Sequence, residues 1–212
     1  MTARKKSAGG HRIRVVGICG SLRKGSYTRR AVIEALEGAD EAGAETKLID
    51  LRDYRLIFAD GEDETPDSVP EDVLRLRREV GSAHGILLGT PEYHGSLSGV
   101  LKNALDLMGF DEFEGKMIGL IGVSGGQSGA FDALNSLRNI GRALHAWVVP
   151  EQVSIPQATE VFPASGGIHD AEVRERLHHV GHRVAEFARL HEAGRAQEFV
   201  KTWEVAMENP GG

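Results

Sequence analysis

Five short runs of the chain are apolar without strict alternation: Ile13–Cys19, Thr46–Asp50, Gly85–Thr90, Met117–Val123 and Ala146–Val149. Stretches such as Ile86-Leu87-Leu88 and Ile118-Gly119-Leu120-Ile121 put apolar side chains on both faces of a strand. That is the pattern of a parallel sheet covered on both sides. Between these runs the apolar period changes to three and four, as amphipathic helices require. Ala31, Val32, Ala35, Leu36 and Ala39 form one such face after Ser26, and Leu101, Ala104, Leu105 and Met108 form another after Ser98. Ala130, Phe131, Leu134, Leu137, Gly141 and Leu144 follow Gly129, and Val173, Leu177, Val180, Val184 and Phe187 step along a final helix.

Alternating strand and helix predict an α/β doubly wound fold with helices on both faces of a parallel sheet. Residues 1–11 read as a disordered basic arm, 12–195 as one domain, and 196–212 as a C-terminal extension whose end, from Asn209, frays. Arg52 to Pro70, rich in acidic residues, reads as a long surface loop, and Gln157 to Gly167 as a second irregular segment. Leu97, Val100, Leu101, Leu105, Leu107 and Met108 make the third helix apolar on more than one side, which suits either an oligomeric contact or deep burial.

Charge and composition narrow the function. A formal net charge of -6 argues against a nucleic-acid footprint. No apolar run approaches the ~18 residues that a membrane span needs, and the basic N-terminus lacks the apolar segment of a secretory signal. Cys19 is the only cysteine and sits in the first apolar run, so it reads as a small buried hydrophobe in a cytoplasmic, reducing setting. Trp147 and Trp203 read as packing residues, and His178, His179 and His182 as a solvated helix face with no cysteine nearby to complete a metal site.

Candidate chemistry gathers where strands end. In an open parallel sheet, ligands bind outside the carboxyl ends of the strands. The turn Gly20-Ser21-Leu22-Arg23-Lys24-Gly25-Ser26-Tyr27-Thr28 follows the first strand and opens a helix. Hydroxyls of Ser21, Ser26 and Thr28, helix-start amides and the Arg23 guanidinium form a donor set for a dianionic phosphate. Neither the dinucleotide glycine spacing nor the Walker order is present. The turn after the third strand, Thr90-Pro91-Glu92-Tyr93-His94-Gly95-Ser96, offers a flat face at Tyr93 and a polar tip at His94. The turn after the fourth, Ser124-Gly125-Gly126-Gln127-Ser128-Gly129, brings bare backbone amides within reach of a flat ligand.

These motifs, with Leu101-Lys102-Asn103-Ala104-Leu105-Asp106, resemble the NADPH-dependent FMN reductases of the flavodoxin-like fold, from about Arg12 to Pro156. The resemblance implies a three-layer sandwich around a five-stranded parallel sheet of order 2-1-3-4-5. It implies FMN as cofactor, NADPH or NADH as co-substrate, and a small acceptor such as a quinone, azo compound, free flavin or metal oxyanion, with ping-pong kinetics. It also implies a homodimer or homotetramer. By the same resemblance Ser21, Arg23, Ser26, Tyr27 and Thr28 would hold the phosphate. Pro91, Glu92, Tyr93, His94 and Gly95 would lie along the ring and ribityl chain, and Ser124, Gly125 and Gly126 would close the other edge of the ring. No catalytic side chain is required, because the flavin carries the chemistry. Many members have asparagine in place of Thr28 and proline in place of Ser98. The same residues suit two other readings. One is an FMN-binding electron carrier or redox sensor. The other is an α/β-hydrolase using Ser124 in Gly122-Val123-Ser124-Gly125-Gly126, with Asp132 or Asp170 as the acid.

Overall fold

The computed structural model describes residues 12–60, 69–164 and 166–207. The N-terminal arm, residues 61–68 of the acidic stretch before Pro70 and the final tail lie outside the described residues. Strands β1 (Arg14–Cys19), β2 (Glu45–Asp50), β3 (Gly85–Tyr93), β5 (Met117–Val123) and β6 (Trp147–Ile155) pair in parallel in the order β2-β1-β3-β5-β6. This is the expected 2-1-3-4-5 sheet with one addition, the two-residue β4 (Ser96–Leu97), which returns antiparallel to β3. Helices α1 (Tyr27–Glu41), α2 (Glu71–Gly81), α3 (Gly99–Asp106), α4 (Phe110–Phe113), α5 (Phe131–Ala143), α6 (Ala158–Val161) and α7 (Ala171–Met207) complete the chain.

Successive side chains on a strand point to opposite faces, and the two cores sort accordingly. Val15, Leu87 and Ile121 pack with α1 and α7 through Val32, Leu36, Val180 and Val184. Val16, Ile18, Ile86, Leu88, Ile118 and Leu120 pack on the other side with Leu76, Leu101, Leu134 and Leu137. Burying each such side chain contributes about 1.5–3 kcal/mol. The α1–α7 seam is tight because two glycines permit it. A Cβ on Gly181 would lie 1.8 Å from the Ala35 carbonyl oxygen, and one on Gly38 would lie 2.2 Å from that of His178.

Several sequence expectations need correction. β2 is an edge strand whose first residues alternate between exposed and half-buried, so it is not apolar on both faces. β6 extends to Ile155 and does not stop at Val149. A register irregularity between Ile118 and Leu120 lets this outer strand carry Pro150 and continue, as bulged edge strands can. Gln157–Gly167 contains the helical turn α6. Trp147 and Phe131 are exposed, at 62% and 58%, because each sits at the outer end of its element. Leu101, Leu105, Leu107 and Met108 are buried within the protomer, so the breadth of apolar surface on α3 is used internally. The acidic loop begins as an ordered 3-10 turn, Leu51–Asp53, and then buries Tyr54, whose hydroxyl donates to Glu79 at 2.6 Å. α7 is continuous across residue 195, where the sequence reading begins an extension, and the side chain of Trp203 lies outside the described residues.

Candidate functional site

α1 starts where it does because Ser26 caps it. The residue is extended (φ -67°, ψ 120°), and its Oγ accepts the Arg29 N–H at 3.1 Å. The first turn holds no acidic side chain, so the positive end of the helix dipole is unopposed. Ser21, Ser26 and Thr28 are each at most 4% exposed. Arg29 is committed elsewhere, with its Nε 3.0 Å from Asp50 Oδ2. Arg23 is exposed, and among the described residues its guanidinium forms no ion pair or hydrogen bond. The Thr28 hydroxyl, the Arg23 guanidinium and the hydroxyl proton of Ser21 are thus left, close to the helix start, for an outside acceptor.

The second turn is more regular than a loop. β3 runs through Pro91 and Glu92 to Tyr93, then reverses at His94 and Gly95 into β4. Both turn residues have positive φ, 52° and 74°, which is the primed two-residue hairpin that matches strand twist. The Glu92 carboxylate accepts the Ala133 N–H at 3.0 Å and so caps α5, whose own N-cap Ala130 has no side-chain acceptor. Its carboxylate is therefore a cap, and its remaining surface borders the site.

The third turn is latched to the end of β6. Ser124 N–H donates to Ile155 O at 2.8 Å, Ala158 N–H donates to Ser124 O at 3.0 Å, and Gln157 N–H donates to Gly126 O at 3.0 Å. Gly126 spends its own N–H on Ser124 Oγ at 3.1 Å. Among the described residues the Gly125 N–H has no hydrogen-bond partner, and a Cβ there would meet open space.

These turns enclose a cleft of about 160 Å³. Ser21, Arg23, Ser26, Tyr27, Thr28, Pro91, Glu92, Tyr93, Ser124 and Gly125 line it, all from the sequence reading. His94, Gly95 and Gly126 do not line it: the first two form the hairpin tip, and the third faces its own turn. Val123, Ala158 and Thr159 line it as well and escaped the sequence reading. With the fifth strand ended at Val149, α6 could not be placed at this edge. The signal was the apolar Val153 and Ile155 continuing past Pro150. Tyr27 stacks on Phe162 at 5.3 Å, and Arg30 sits 5.0 Å above Phe162 while donating to Pro163 O at 3.0 Å. The segment after α6 is thereby fixed against α1.

Nearby titratable groups take no part. Burial pushes the Cys19 thiol up, which leaves it a weak nucleophile. The hydrolase arrangement is not assembled: Asp170 accepts the Val173 N–H at the start of α7, and no histidine among the described residues hydrogen-bonds Ser124. His178 is not on a solvated face. Its ring lies 3.1 Å from Glu41 and 3.3 Å from Glu34, and Glu34 also takes Arg174 at 3.1 Å. His179 and His182 are exposed, as expected.

The donor set fits FMN. Buried hydroxyls, helix-start amides and an unengaged guanidinium suit its phosphate, while Pro91, Tyr93 and the open backbone at Gly125 leave flat, weakly polar walls for its ring. No helix among the described residues is long and apolar enough to cross a membrane.

A family model described as NADPH-dependent FMN reductase matches residues 13–160. The chain is 32% identical to the NADPH-dependent FMN reductase ArsH of Shigella flexneri, over 84% of this chain and 69% of that one. It is 36% identical to an NAD(P)H-dependent FMN reductase of Pseudomonas aeruginosa, over 78% of this chain and 89% of that one. It is 37% identical to an FMN-dependent NADPH-azoreductase of Staphylococcus aureus, over 65% of this chain and 73% of that one. Among solved structures, the flavoenzyme NAD(P)H:(acceptor) oxidoreductase FerB from Paracoccus denitrificans superposes with a TM-score of 0.61 at 26% identity, covering 84% of this chain and 98% of that one. A flavone reductase superposes at 0.64 with 21% identity, and 84% of this chain spans 63% of its length, a likeness of fold.

Proposed function

Since the chain belongs to the NADPH-dependent FMN reductase family, we propose that it holds FMN in the cleft at the carboxyl edge of its sheet and passes reducing equivalents from NADPH or NADH to a small acceptor. The observation that carries this reading is the convergence of unspent donors at the start of α1 with two flat-walled turns. Ser21, Arg23, Ser26, Tyr27 and Thr28 bind the phosphate, where the guanidinium and the helix start offset its charge. Pro91, Glu92 and Tyr93 border one side of the ring, and Ser124 and Gly125 the other.

When bound, FMN supplies hydride acceptance from the nicotinamide and reduction of the acceptor. The protein contributes position and electrostatics. The Gly125 N–H offers a fixed donor for negative charge that gathers on the ring edge, and a preorganised dipole needs no rearrangement to do so. The nicotinamide and the acceptor would use the same face of the ring in turn, which gives ping-pong kinetics. Quinones, azo compounds, free flavins and metal oxyanions are the acceptor classes. Exposed Leu22, Phe58, Tyr93 and Phe131 support a homodimer or homotetramer, and a lone buried cysteine suits a reducing cytoplasm.

The test is anaerobic titration of the FMN-loaded protein with NADPH and, separately, NADH. Bleaching of the flavin bands, followed by their return on adding a quinone or azo dye, is expected. A chain that binds no FMN, or whose FMN neither nicotinamide bleaches, overturns the reading.

A further inference from the structure

Ser98 lies outside the cleft lining and is 2% exposed, yet it ties two of the site's turns together. Its N–H donates to Thr90 Oγ1 at 3.0 Å, at the root of the ring-side turn. Its Oγ donates to Gly20 O at 2.6 Å, at the root of the phosphate turn, and accepts the Leu101 N–H at 3.2 Å as the cap of α3. Gly20 is gripped from the other side too: its N–H donates to Gly89 O at 2.8 Å. A side chain at position 20 would strike Leu101 and the Gly89 carbonyl, at 2.7 and 3.0 Å.

The planarity of the peptide bond gives this grip a consequence. In a trans peptide the C=O and the next N–H point in opposite directions. The Gly20 carbonyl and the Ser21 N–H share one such plane. A hydroxyl that holds the Gly20 oxygen therefore turns the Ser21 N–H away from Ser98. Ser21 lines the cleft, and among the described residues its N–H has no hydrogen-bond partner. Donation into the carbonyl also polarises the shared peptide and strengthens that N–H as a donor.

We propose that Ser98 is a positioning residue that aims the Ser21 amide at the phosphate of the bound nucleotide and so sets the preference for FMN over unphosphorylated riboflavin. The inference rests on the FMN reading above. Proline at this position would lack both the hydroxyl and the N–H, so neither tie would survive that replacement.

Flavin fluorescence quenching with FMN and with riboflavin tests it, using wild type, Ser98→Ala, Ser98→Gly and Ser98→Thr. Ser98→Gly guards against loss of the helix start, because glycine is nearly as good a cap as serine. The FMN dissociation constant is expected to rise about tenfold in Ser98→Ala and Ser98→Gly, that of riboflavin to stay within about twofold, and Ser98→Thr to restore the preference. A merely structural role would weaken both ligands alike, and that result, or an unchanged FMN constant, overturns the inference. Should the variants not fold, nitrogen–proton spectra of the wild type decide. The Ser21 amide proton moves downfield with FMN and not with riboflavin if the inference holds, and moves alike or not at all if it fails. A wild type that binds no FMN sinks the FMN reading itself, which separates the two failures.

Discussion

Along its flank α1 pairs Glu34 with Arg174 and His178, pairs Glu41 with His178, and presses Gly38 and Ala35 against the α7 backbone. At its N-terminus the same helix leaves Arg23 and the Thr28 hydroxyl unengaged among the described residues. Both regions are polar in sequence. They differ in whether the polar groups are spent. Where two elements of the chain meet, each donor has an acceptor and backbones touch. Where the strands end, buried donors face a cleft. Donors left open on a cleft wall can take an outside acceptor, so the unspent set marks a place for a ligand, and the spent set marks a seam.

Breaking the seam should have the largest effect. Gly181→Ala inserts a methyl group 1.8 Å from the Ala35 carbonyl oxygen, so the helices must part. A loss of roughly 3 kcal/mol or more in urea denaturation is expected. A loss below about 1 kcal/mol would mean that the crossing is not as close as described. Arg23→Ala strikes the other region. FMN affinity should fall about 10- to 100-fold, the worth of a hydrogen bond to a charged group, with the melting temperature of the FMN-free chain unchanged. Equal FMN affinity would remove Arg23 from the phosphate site.

The opposite edge of the sheet sharpens the contrast. Lys116 donates to the Val80 and Gly81 carbonyls at 2.8 and 2.7 Å, closing the end of α2. Burial brings its ammonium down to about 8 from 10.5. Below about 8 both folded and unfolded chains hold the proton, and the fold bears its cost. Between about 8 and 10.5 only the unfolded chain still holds it, so stability rises with pH. The urea midpoint of the wild type should climb through that window relative to Lys116→Met, and parallel curves would contradict the assignment. This is the smallest of the three effects, since the amine is partly solvated.

Legibility in the sequence followed the same division. The strands and the turn that opens α1 were readable because both are local signals, unbroken apolar runs and hydroxyls placed at a helix start, whereas the sheet order came from the family resemblance. The role of the Glu92 carboxylate was not, because its partner at Ala133 is far along the chain and no periodicity links them. Nor was the pairing of half-buried His178, whose glutamate neighbours come from α1. Ala158 and Thr159 were missed because Pro150 reads as the end of a strand, and only the pairing of β6 with β5 shows the strand passing through it.

Everything turns on where the phosphate sits, and a crystal structure of the FMN complex shows that. Phosphate density is expected at the start of α1, within hydrogen-bonding distance of Ser21, Ser26, Thr28 and Arg23, with the ring between Tyr93 and Gly125. Phosphate density at the Ser124 turn, or a flavin seated away from the carboxyl edge of the sheet, would contradict it.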